Sequence, residues 1–205
     1  MSFDDEALVE QAKRLRPCNM WALGLVSFVI LTSTCGLLLS LNSQIGFWIL
    51  GQVVLALSLV QWFVVLHETG HETLFRSRLL NEFFGHLASV LTLIPYTSWR
   101  YIHHQHHLWT GWRDLDPTTQ STVPRPLSLF ERQLMNFCWK LGIPLFSVVY
   151  RLCNYWNLKR LTKLVKEPSE RRSIYVNLLG LLCCLILVVI ALGIQTTLSL
   201  FGLAF

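Results

Sequence analysis

His67 and His71 stand in the run His67-Glu68-Thr69-Gly70-His71, and four more histidines stand in Tyr101-Ile102-His103-His104-Gln105-His106-His107. Neutral imidazole is a good ligand for iron, zinc, copper and nickel. Residues i and i+4 of a helix lie about 40° apart around its axis, so His67 and His71 point the same way. Taking His103 as the origin on the same wheel, His107 falls at about 40°, His106 at about −60° and His104 at about 100°. His103, His106 and His107 then make one cluster with His104 at its edge. His86 stands alone in a short apolar run and reads as a hydrogen-bonded structural residue.

Two chemistries fit such residues. His67-Glu68-Thr69-Gly70-His71 has the form H-E-x-x-H, in which two histidines hold zinc and Glu68 is the general base of a metalloprotease. That reading leaves the cluster around His103 idle, and five convergent imidazoles exceed the three protein ligands of a catalytic zinc. The second chemistry uses both groups. A histidine-rich pocket holding two irons at a membrane surface can activate dioxygen and attack an unactivated C–H bond. Acid–base side chains cannot, because an alkyl methylene has no useful acidity.

The elements that must carry these residues follow from composition. Of 205 residues, 53% are hydrophobic and 14% charged, against roughly 25% charged in soluble domains. The mean hydropathy is +0.46. A soluble domain, a disordered chain and a disulfide scaffold are thereby excluded. Residues 17–66 and 173–205 carry no Asp, Glu, Lys or Arg, and a membrane helix needs about 20 apolar residues. The first stretch predicts two spans, 21–41 and 45–66, turning at Asn42, Ser43 and Gln44. The second predicts a span at 174–193, a turn at Gln195-Thr196-Thr197 and the opening of a further run at 198–205. That run is too short to cross, so the expectation is a chain cut inside its second hairpin.

The fold class expected is all-α: a polytopic membrane protein with helical hairpins and a helical region bearing the histidines. It divides into 1–20, the hairpin 21–66, a region 67–172 and a last part 173–205. All 17 Lys and Arg lie in 1–20 or 67–172, which places both regions on the cytoplasmic side. The net charge of +5 is therefore membrane topology and not a nucleic-acid signal. The acidic start Ser2-Phe3-Asp4-Asp5-Glu6 is no cleaved signal peptide. Six cysteines show neither metal nor redox spacing and read as packing residues. Lys159, Arg160, Lys163 and Lys166 share one face of a helix, opposite Leu158, Leu161, Leu164 and Val165, an arrangement that suits either an anionic lipid surface or a solvated face.

At this point the chain resembles the membrane fatty acid desaturases. His67-x-x-x-His71 and His103-x-x-His106-His107 are similar to the first two histidine boxes of that family, and the likeness runs on through Leu80-Asn81, Gly85, Pro95-Tyr96, Trp99-Arg100 and Asp114-x-Asp116-Pro117. The resemblance implies an oxidoreductase that inserts a double bond into the acyl chain of a lipid or acyl-CoA, using two iron ions, O2 and electrons from cytochrome b5 or ferredoxin. It implies His67, His71, His103, His106 and His107 as iron ligands, with Glu68, Asp114 and Asp116 as candidates to support them from behind; His104 is not carried over by the likeness and, at the edge of the cluster, is a further candidate for such support. The endoplasmic reticulum, or a bacterial cell or thylakoid membrane, would house it. The family's third box, H-x-x-H-H, has no counterpart, since no histidine follows His107; these 205 residues by themselves are expected to be inactive. Relatives with similar boxes hydroxylate or ketolate lipids and carotenoids, and a non-catalytic truncated membrane protein is the reading from another class.

Overall fold

The computed structural model describes residues 17–112, 114–119, 126–143 and 145–201. Most of the expected N-terminal region, residues 1–16, and the last four residues of the run 198–205 lie outside them. Every regular element among the described residues is helical, as the charge-free stretches predict. Among the described residues, three helices are long and apolar enough to cross a membrane: α1 (Asn19–Ser40), α2 (Ile45–Gly70) and the late helix α8 (Pro168–Leu192). Between α2 and α8 come α3 (Arg78–Thr92), α4 (Tyr96–Trp109), α5 (Leu129–Lys140), α6 (Leu145–Arg151), a π-helical segment (Leu152–Trp156) and α7 (Leu158–Leu164); α9 (Ile194–Phe201) closes the series. The described residues fall into two compact units, one reaching Leu93 and resuming at Cys183, the other Ile94–Leu182.

In the first unit α1 and α2 form the expected hairpin. Asn42 Oδ1 accepts the Gln44 N–H at 2.9 Å and closes the turn. The buried positions of α1 include Ala22, Val26, Val29, Gly36 and Ser40, and those of α2 include Gly51, Leu55, Ser58, Trp62, Val65 and Thr69. Steps of three and four keep one narrow stripe of each helix on the other, as in a coiled-coil seam. The remaining faces expose Trp21, Phe28, Leu31, Phe47, Val53 and Leu57, as lipid-facing surfaces do. Small residues let the backbones approach: a Cβ on Gly51 would lie 2.5 Å from the Ser40 backbone nitrogen, and one on Gly36 2.9 Å from that of Leu55. Polar side chains lace the seam. The Trp62 indole N–H donates to Ser33 Oγ at 2.9 Å, Thr32 Oγ1 lies 3.2 Å from Gln61 Oε1, and the Gln52 amide donates to Ser40 Oγ at 2.9 Å.

The last helix differs from the sequence reading. Residues 195–197 form no turn: they are the first part of α9, and the break between the two helices sits at Gly193, whose φ of 76° a glycine accepts without cost. The α9 carbonyls are taken up by the hairpin, with Ser199 O accepting from Trp48 Nε1 at 2.9 Å and Leu200 O from Gln52 Nε2 at 2.8 Å. α8 also begins earlier than expected, at Pro168, a residue suited to a first helical position. Five of the six cysteines are exposed and only Cys138 is buried, so packing accounts for that one alone.

α3 is held by Ser77 at its N-cap and packs on α2, with Asn81, Gly85, Ala88 and Thr92 among its buried positions. It ends at Leu93 in the left-handed region (φ 55°). Pro95 then precedes α4, whose buried Tyr96, Trp99 and Ile102 fix its inner face. In the same unit Tyr101 donates its hydroxyl to the Leu164 carbonyl at 3.1 Å, tying α4 to the end of α7. α7 stops at Leu164, so Lys166 lies beyond it and shares no helical face with Lys159 and Lys163.

Candidate metal centre

His67 lies in the last turn of α2 and His71 is the residue that caps it. The helix continues far enough to keep the i, i+4 relation, and the two rings meet edge to face with centroids 4.7 Å apart. Glu72 adopts a left-handed φ of 59° immediately afterwards, and the Thr73 N–H returns to the Glu68 carbonyl at 3.0 Å. This bend delivers the Thr73 hydroxyl to Glu68 Oε2 at 2.7 Å, while Glu68 Oε1 faces His67 Nδ1 at 3.0 Å. A carboxylate accepts only, so Nδ1 carries a proton, and in the neutral ring Nε2 is the nitrogen that can bind a metal.

All four histidines of the second group lie on α4. His103 and His107 bring their Nε2 atoms to 3.1 Å, with ring centroids 4.5 Å apart. Two nitrogens each about 2.1 Å from a shared ion, at an angle a little over 90°, are about 3.1 Å apart. The His103 ring is stacked on the buried Trp99 indole (centroids 4.5 Å, planes 18° apart), one turn earlier on the same helix. His106 completes the cluster, 6.2 Å from His103 and 5.7 Å from His107 between centroids. His104 is exposed at the edge, where the helical wheel puts it, and His86 is exposed on α3.

His106 is fixed from behind. Its Nδ1 donates to Asp116 Oδ2 at 2.7 Å, and Asp116 Oδ1 accepts from both the backbone N–H and the hydroxyl of Thr118 at 2.8 Å. Asp116 is almost wholly buried, at 1% exposure. Burial pushes its carboxyl up, but the Thr118 hydroxyl and N–H together with the His106 hydrogen bond and charge outweigh that and hold it below the usual range. Asp114, two residues earlier, is exposed. From the sequence, Asp116 stands out as a support, whereas Trp99 enters only through the family likeness and Thr118 not at all. Asp-Pro-Thr is a turn signal in which the acid bonds the backbone two residues on, and Trp99 stands at i−4 to His103.

The donor set fits a metal of the iron or zinc class. His67 and His106 each have Nδ1 bonded to a carboxylate, which fixes the tautomer and raises the basicity of the other ring nitrogen, as supporting carboxylates do around metal-bound histidines. Within each pair, His67 with His71 and His103 with His107, possible ligand nitrogens lie within 4.8 Å of one another.

The sequence also has measurable kin. The family model described as fatty acid desaturase matches residues 43–205. The sn-1 oleoyl-lipid 12-desaturase of a Picosynechococcus species is 24% identical over 185 residues, which cover 85% of this chain and 51% of that protein. The sn-1 acyl-lipid omega-3 desaturase (ferredoxin) of a Nostoc species is 36% identical over 118 residues, covering 54% of this chain and 33% of its own. The Delta(12)-oleate desaturase of Trichosanthes kirilowii is 30% identical over 124 residues, 60% of this chain and 32% of that one. The chain thus spans about half the length, or less, of these relatives. No solved structure matches it.

Proposed function

The chain belongs to the fatty acid desaturase family, and on that footing we propose that the full-length protein desaturates the acyl chain of a membrane lipid at a histidine-held iron centre. His67 and His71, and separately His103, His106 and His107, are the ligands this chain would contribute to a centre of two irons. Bound iron supplies the O2-dependent attack on an unactivated methylene that no acid–base side chain can perform. The protein's own groups orient and insulate. Glu68 and Asp116 keep the protons of His67 and His106 on Nδ1, so that both present Nε2. Trp99 holds the His103 ring in one plane, facing His107. The apolar outer faces of α1 and α2 keep the substrate's surroundings lipid, and the charged segments set the histidines on the cytoplasmic side. Electrons come from a small carrier; ferredoxin is the donor in the name of the Nostoc relative.

The observation that carries this reading is the His103–His107 nitrogen contact at 3.1 Å inside the region matched by the family model. That region also includes the His67 pair, which the zinc-protease reading would use alone. The test is fatty-acid profiling of cells expressing the full-length protein and its His107→Ala variant. A new double bond in the wild type and its loss in the variant is the expected result. An unchanged profile in both, or zinc-dependent peptide cleavage that requires Glu68, would overturn it.

A further inference from the structure

Arg160 stands apart from the basic residues around it. Lys159, Lys163 and Lys166 are exposed, but Arg160 is half-buried and turned inward. Its guanidinium forks between two oxygens, donating through one nitrogen to Asn154 Oδ1 and through the other to the Pro117 carbonyl. Asn154 belongs to the π-helical segment, is fully buried and donates its amide to the Tyr150 carbonyl at 2.9 Å. Pro117 directly follows Asp116. Burial works against the Arg160 charge and lowers its pKa, so an arginine retained here without a task carries a desolvation cost.

From this geometry we infer that Arg160 is a positioning residue for the metal centre, clamping the Asp116-Pro117-Thr118 turn so that Asp116 holds His106 in its ligating orientation. The inference rests on the reading of His106 as a ligand. Pro117 has a fixed φ and no N–H, so its carbonyl is the backbone group through which the turn can be gripped. A planar fork with fixed donor directions grips two oxygens at once, which a lysine ammonium does only one at a time without a set angle. The grip complements the Tyr101–Leu164 bond: α7 reaches the histidine helix directly by Tyr101 and indirectly through Arg160, Pro117, Asp116 and His106. π-helical segments are frequent at functional sites, and here the segment's contribution is to set Asn154 where it fixes the other half of the fork.

The experiment uses the full-length protein in lipid nanodiscs, stripped by chelator and titrated with Co2+, read by its visible ligand-field bands. Arg160→Gln and Asp116→Asn should each weaken Co2+ binding about 10- to 100-fold and shift the bands. The double variant should bind no more weakly than Asp116→Asn alone, because both changes release the same histidine. Arg160→Lys should fall between wild type and Arg160→Gln, and it carries the test if Arg160→Gln does not fold. Losses that add in the double variant, or affinities equal to wild type, would overturn the clamp. Weakened Co2+ binding in a protein that makes no double bonds supports the clamp while sinking the desaturase reading; unchanged binding in an active desaturase does the reverse.

Discussion

Asp116 Oδ2 lies 2.7 Å from Nδ1 of His106, ten residues earlier, and the carboxylate's other oxygen is taken up by Thr118. Both oxygens of a buried acid are therefore satisfied, one by the preceding helix and one by the acid's own turn, and the histidine is left one ring nitrogen for a ligand. Removing the charge leaves His106 and Thr118 without a strong acceptor, at a cost of about 1–3 kcal/mol. The pH dependence has a definite sign. Asp116 is held below its ordinary pKa in the folded protein, so its contribution is present above the unfolded value of about 3.9 and is lost as the pH falls through the folded one. Thermal melts of wild type and Asp116→Asn in detergent should differ by a constant amount between pH 7 and pH 5. The gap should close on further acidification. A gap that persists unchanged at pH 3 contradicts the assignment.

His103 and His104 are neighbours in sequence but not in role. His103 faces His107 across 3.1 Å between nitrogens, whereas His104 is exposed. Iron measured per purified full-length chain should fall by at least half in His103→Ala and stay at the wild-type level in His104→Ala. Equal losses in the two would mean that the face of α4 has been misread.

The hairpin should tolerate no side chain at Gly51, where a Cβ would sit 2.5 Å from the Ser40 backbone, whereas Gly46 has nothing within 4 Å. Gly51→Ala forces the helices apart, and such overpacking costs about 1–3 kcal/mol or more. Folded yield and protease resistance should drop for Gly51→Ala and not for Gly46→Ala.

The 205 residues on their own hold five of the histidines assigned to iron, and none follows His107. Expressed alone in cells, this chain should leave the fatty-acid profile unaltered. Appearance of new double bonds would show that five imidazoles, with whatever else the chain supplies, are a sufficient set.

Much of this was legible from residue order. Charge-free runs located the spans, because lipid excludes ionised groups, and 3.6-residue periodicity put His103 with His107 and left His104 aside. The Gly193 break was not legible: Gln195-Thr196-Thr197 has turn-like composition, yet one glycine with φ of 76° makes the break and leaves the following residues helical. Arg160 was misread for a related reason. Its spacing matches Lys159 and Lys163, and a helical wheel cannot register that a carbonyl 43 positions earlier, at Pro117, draws it inward. Thr73 and Thr118 also depend on bends, at Glu72 and Asp116, that periodicity does not describe.

The seam of the hairpin bears on how the protein is made. Its side-chain amides and the Trp62 indole N–H, belonging to Gln52, Gln61 and Trp62, sit on α2 and find their partners at Ser40, Thr32 and Ser33 of α1. Ser33 and Thr32 also donate to the Val29 carbonyl of their own helix, so these two hydroxyls of α1 are met in lipid without α2, whereas the Gln52 amide and the Trp62 indole N–H of α2 would be unmet donors there. Synthesis runs from the N-terminus. The self-sufficient helix therefore reaches the bilayer first, and the needy one arrives to find its partner in place.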